Sequence, residues 1–191
     1  MPVEEFLRGQ LEAIKLLQRR ELSLNRRLKL LCEFFGETSA PVDFDVENHA
    51  SALADIFAEM YDAPMTIAKK IRLVETYLDA RKNILPSLHE TFPSVLENYL
   101  VNEFFMRLYP CAFVGDDRFN IRVFVTAWRV IEFAAVLTTI SRTRLTLEDF
   151  LEMLCALSDK LDHSRGGMAA IKEFAELHDA EIFYSMMIDS L

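Results

Sequence analysis

The chain has 191 residues, 51% of them hydrophobic, and only 5 glycines and 6 prolines. It therefore has the means to bury a core and too few turn-formers for a β-sandwich or barrel. A formal charge of −9 disfavours a nucleic-acid backbone or an anionic membrane as its main partner, since both repel an acidic surface.

Three isolated cysteines, Cys32, Cys111 and Cys155, include no CxxC or CC pair. That leaves zinc sites, iron–sulfur clusters and dithiol chemistry without a ligand set here, and reads all three as core packers in a reducing compartment. Glu4, Glu5, Arg8, Glu12 and Lys15 exclude a signal-peptide apolar region at the start of the chain. The longest uncharged run, FAAVLTTIS at 133–141, has nine residues, against the ~20 a membrane span needs. The expected location is cytoplasmic, with neither membrane nor nucleic acid as partner.

In chain order, residues 3–18 follow Pro2 and repeat Phe6, Leu7, Leu11, Ile14 and Leu17 near period 3.6, the pattern of a helix. Ser23 caps a second helix over 24–35, which Gly36 ends. ETSAPVDFD (37–45) reads as a loop. A third helix, roughly 45–62, places Leu53, Ile56, Phe57 and Met60 on one face. Pro64 opens a fourth, to about Asn83, with Ile67, Ile71, Val74 and Leu78 as its stripe, and Pro86 breaks it. Pro93 fits the first turn of the next helix, VLENYLVNEFFMRLYP (95–110). PCAFVGDDR (110–118) is a loop, and the longest helix runs from about Phe119 to Arg142. Thr146 caps the following one, with Asp149 three residues on as a relative of the capping box. Gly166-Gly167 separates it from a last helical region, about 168–189. With no strand alternation of useful length, the expected fold is an all-α bundle of about eight to nine helices, a single domain over 1–191.

Two helices carry polar residues where apolar ones dominate. Segment 95–110 is apolar almost all round its wheel, yet contains Glu97, Asn98, Asn102, Glu103 and Arg107. Asn98 and Asn102 share a face, and Glu103 and Arg107 can pair. A buried polar group without a partner costs about 1–3 kcal/mol. These residues therefore reach solvent, join an internal network or line a partner groove; the amides are expected to bond neighbouring helices and fix the helix's rotation. In the long helix, Arg122, Thr126, Arg129 and Glu132 fall within a ~120° arc. That arc reads most simply as a solvated face, or alternatively as a charged cleft with Trp128 beside it as an aromatic anchor.

The nine candidates for substrate or partner binding are thus Glu97, Asn98, Asn102, Glu103, Arg107, Arg122, Trp128, Arg129 and Glu132. No catalytic residue is assigned, since the chain has no GxSxG, P-loop, GxGxxG or kinase signature. Asp159 and His163 are spaced i,i+4 with Asp162 nearby, but no third ligand follows at helical spacing, so no metal site is expected. His49, His89 and His178 have no partner pattern.

Three segments, RRELSLNRRLKLLCEFF (19–35), VLENYLVNEFFMRLYP (95–110) and LTLEDFLEMLCALSDKLDHS (145–164), resemble in order the C-terminal helical region of the flagellin lysine-N-methylase family. The first is similar to a basic-Glu-x-Ser-Leu-x-x-Arg-Leu element through Arg20, Glu21, Ser23, Leu24, Arg27 and Leu28. The second matches a Leu-Glu-Asn-Tyr-Leu-Val-Asn element from Leu96 to Asn102 without a gap, and the third ends near His163.

The resemblance implies flagellin as partner, S-adenosylmethionine as methyl donor and an iron–sulfur cluster in full-length members. That cluster is taken to sit in a cysteine-rich N-terminal part with a Cys-Cys pair. This chain lacks those cysteines, so it is expected to hold no cofactor itself. It would be either the C-terminal portion of a longer protein or a shortened homologue, and methylation is not assigned to it alone. The expected role is an accessory or substrate-binding helical domain. The alternatives are a ligand-binding domain of a repressor-like protein, disfavoured because no basic recognition helix is visible, and a stand-alone adaptor that binds a partner helix.

Overall fold

The computed structural model describes residues 3–36, 45–107, 116–142, 145–163 and 165–178. They form α1 (Val3–Leu17), α2 (Leu24–Phe34), α3 (Val46–Met60), α4 (Ile67–Thr91), α5 (Pro93–Met106), α6 (Asp117–Arg142), α7 (Leu147–His163) and α8 (Arg165–Leu177). No strand occurs among the described residues. The fold is all-α, as the periodicity predicts.

Local side-chain chemistry starts most of these helices. The first turn of a helix has backbone N–H groups with no intrahelical partner, and a preceding oxygen satisfies them. Ser23 Oγ accepts from Arg26 N at 3.3 Å, and Asp45 Oδ1 from Glu47 N and Asn48 N at 3.0 and 3.1 Å. Before α7 the capping box is complete: Thr146 Oγ1 accepts from Asp149 N at 3.2 Å, and Asp149 Oδ2 accepts from Thr146 N at 3.1 Å. After α2, Gly36 has φ +84°, the left-handed conformation that ends helices cheaply only at glycine.

The described residues group into two units. One contains α1, α2, α5 and α6 up to Val125. Its core includes Leu17, Leu28, Leu31, Leu100 and Phe104, with Phe104 edge-on to Phe124 at 5.4 Å. The other contains α3, α4, α6 from Thr126, α7 and α8. There α3 packs on α4 and α8, and α7 on α8. Its aromatic core has Phe133 at 4.6 Å from Tyr77, and Phe92 stacked on Phe150 at 5.0 Å.

Several boundaries and faces differ from the pattern-based reading. Pro86 does not end α4, which continues to Thr91. The missing hydrogen bond falls on the exposed side of the helix, while Leu85 and Leu88 on either side of it are buried, so packing overrides the local break. Of the expected α4 stripe, Val74 is buried, but Ile67 and Ile71 are exposed, and the buried face is instead Val74, Tyr77, Leu85 and Leu88. Gly166 and Gly167 lie inside α8. The expected extension of the last helix beyond residue 178 lies outside the described residues, as do most of the two loops at 37–45 and 110–118.

By length and composition alone α6 is apolar enough to cross a membrane, although its longest uncharged run is short. However, 72% of its most apolar window is buried inside the protein, as in a core helix. Cys32 is buried as expected, Cys155 is exposed on α7 contrary to the core-packing expectation, and Cys111 lies outside the described residues.

Candidate functional site

Two ionic nodes stand out, one in each unit. The first is assembled by the turn between α1 and α2. The Ser23 cap starts α2 immediately after that turn, which places Arg27 within the first helical turns and buries it. Arg27 Nη1 donates to Leu17 O at 2.6 Å and Nε to Leu22 O at 3.1 Å. The Leu17 carbonyl is one of those that the end of α1 leaves without a helical partner, and a guanidinium there also suits the helix dipole.

Arg27 Nη1 also reaches Glu97 Oε2 on α5 at 2.9 Å. Arg20, in the turn, grips the same carboxylate with Nη2 to Oε1 at 2.8 Å and Nε to Oε1 at 3.0 Å. Glu97 is buried, whereas the Arg20 side chain is 70% exposed, so the node is a buried pair with a second cation at the water boundary. Hydrogen bonding from Arg20, with help from Arg27, holds the Glu97 carboxyl below its ordinary range although burial opposes it.

The second node lies on α6. Thr126, Arg129 and Glu132 are all buried, and Arg122 is half-buried. The arc expected to face solvent therefore faces inward for three of its four residues. An otherwise apolar helix packed on all sides has no water to turn its charges towards, so they pair internally. Glu132 bonds to Arg129 one turn earlier and to His89 Nε2, in the last turn of α4, at 3.0 Å. Burial pushes the Glu132 carboxyl up, but the Arg129 guanidinium and the His89 hydrogen bond outweigh it and hold the pKa at about 2.

The remaining candidates separate clearly. Glu103 and Arg107 pair at 2.5 Å as the spacing predicts. Asn98 and Asn102 are exposed, so the expected buried amide network does not form on them; Glu97, on another face of α5, makes the interhelical contacts. Trp128 is buried at 1% exposure and is a core side chain, not a surface anchor. Asp159 and His163 are both largely exposed, 3.7 Å apart, a surface pair.

Arg20, Arg27 and His89 were not among the nine candidates. For the two arginines a signal existed, since both sit in the first of the three resembling segments. His89 had none, because its partner is 43 residues away.

Chemically, both nodes hold carboxylates whose oxygens are engaged by arginines and, at Glu132, by a histidine, an arrangement that compensates buried charge and ties helices together. The chain is thus an all-helical domain with two internally compensated ionic nodes. A family model described as the FliB lysine N-methylase C-terminal domain matches residues 42–188, and the chain belongs to that family. The match includes the Leu96–Asn102 element and α7. It begins after the Arg20–Leu28 element, which the structure nevertheless couples to it through Glu97. No curated protein and no solved structure matches the chain.

Proposed function

We propose that this chain is the helical part of a flagellin lysine-N-methylase that engages flagellin, while methyl transfer from S-adenosylmethionine takes place elsewhere in the enzyme. The observation that carries this reading is the family match over 42–188. The two ionic nodes support it, because their carboxylates are committed to structural partners and are poorly placed to accept a proton from a substrate lysine. The family's iron–sulfur cluster does not fit this donor set. Such clusters are held by about four thiolates, whereas the chain has three cysteines, of which Cys32 is buried in α2 and Cys155 exposed on α7. Membership of this family leaves the repressor-like reading without support.

The test is to incubate the purified chain with flagellin and labelled S-adenosylmethionine. Flagellin should be retained by the immobilised chain without methyl incorporation. Failure to retain flagellin removes the binding role, and methyl transfer by the isolated chain would show that these residues are catalytic after all.

A further inference from the structure

Three helices expose apolar side chains in pairs one turn apart: Leu7 and Leu11 on α1, Ile67 and Ile71 on α4, and Leu147 and Leu151 on α7. Residues at i and i+4 form a continuous ridge. Single exposed apolar residues need no explanation, but contiguous ones mark contact surfaces. The charges beside the ridges differ. On α1 the ridge is flanked by charges of both signs, exposed Glu4 and Arg8 and the Glu12–Lys15 pair at 2.6 Å; that ridge has no net sign, and nothing indicates what covers it.

The other two ridges are opposite in sign. On α4, Ile67 is 80% and Ile71 52% exposed, and Lys69 and Arg72 are exposed among them. On α7, Leu147 is 49% and Leu151 44% exposed, with exposed Glu148 and Glu152 next to them. None of these four charged side chains forms an ion pair among the described residues. Each ridge thus has the same spacing, a branched apolar pair and two like charges that form no ion pair, with exposed Glu75 following one turn beyond Ile71 on α4, and the charges of one complement those of the other.

We infer that these two faces form a self-association contact, the α4 ridge of one copy seating on the α7 ridge of a second copy of this chain. A chain with a net charge of −9 resists association through most of its surface, and the basic start of α4 supplies a local patch that an acidic copy can meet. The apolar pairs provide the burial and the charges set the partner and register. Because the two faces are different, the contact is heterologous; it closes into a dimer where two such contacts are related by a twofold axis, and otherwise into a ring or chain.

Charge reversal tests this directly, since all four charged positions are exposed and their replacement should leave the helical circular dichroism unchanged. Sedimentation analysis of the unaltered chain should show a mass above the monomer that falls as salt is added. Glu148→Lys/Glu152→Lys makes both faces basic, and Lys69→Glu/Arg72→Glu makes both acidic, so each variant alone should be monomeric. Mixed together, the two variants should associate again, because each basic face then meets an acidic one. An unaltered chain that stays monomeric at every soluble concentration overturns the inference. So do reversed variants that associate as before, or a mixture that fails to recover.

Discussion

Replacing Glu97 by glutamine keeps the shape of the side chain and removes its charge, so the change reports on the ionic node itself. Arg27 would retain the Leu17 and Leu22 carbonyls but lose its counter-ion in a buried site. Breaking a buried pair from one side costs roughly 3 kcal/mol, and Glu97→Gln should lower the urea-unfolding free energy by about that much. Arg20→Ala should cost clearly less, because its guanidinium stays largely in water. Asn102→Ala is the contrast. A buried amide would leave a partner unsatisfied, but Asn102 is exposed, so its loss should change stability by no more than about 0.5 kcal/mol. A large loss in the melting temperature of that variant would show that the amide is bonded after all.

Helix starts follow from a few atoms near each terminus, and the Ser23 and Thr146 caps could be read from residue order for that reason, whereas the Asp45 cap lay at the end of what reads as a loop. The way helices approach one another depends on side chains far apart in sequence. Gly167 is the clearest case: a Cβ there would meet Met60 Cγ at 2.3 Å and Met60 Cα at 3.3 Å. In sequence the two glycines resemble a linker, but Gly167 lies inside α8, where its missing side chain lets α8 approach α3. Gly167→Ala gains helix propensity and loses this fit. Overpacking of such a contact costs about 1–3 kcal/mol, so the variant should melt at a lower temperature by differential scanning calorimetry. An unchanged or raised melting point would mean that Met60 moves aside freely.

Acid stability is a property to which both ionic nodes contribute. The Glu132 carboxyl is held at about 2, against 4.5 when unperturbed. A depressed folded pKa adds stability that is fully present above the unfolded value and is lost as pH falls through the folded one. For Glu132 the loss falls between about pH 4.5 and pH 2 and amounts to about 3 kcal/mol. Glu97, also depressed, acts in the same direction. Urea-unfolding free energies measured across this range should therefore decline with acid. Glu132→Gln should be less stable at neutral pH and flatter in its pH dependence than the unaltered chain. Equal slopes in the two would show that Glu132 titrates as it does when unfolded.

Apart from the family resemblance, which rests on three separate segments and which the match over 42–188 supports, what residue order determined by itself is local: the all-α class, the Ser23 and Thr146 caps, and the i,i+4 pairing of Glu103 with Arg107. These depend on neighbours within about one helical turn, where spacing and geometry are nearly the same thing. Tertiary structure decided which polar residues face inward. Along α6 the charged arc reads in sequence most simply as a solvated face; His89, contributed by α4, helps make it a buried pair. Along α5 the neighbours Glu97 and Asn98 look alike as polar breaks in an apolar run, yet one is buried between two arginines and the other is exposed. The difference lies in where the α1–α2 turn places Arg20 and Arg27, some seventy residues away, and a separation of that length leaves no periodic trace in a single sequence.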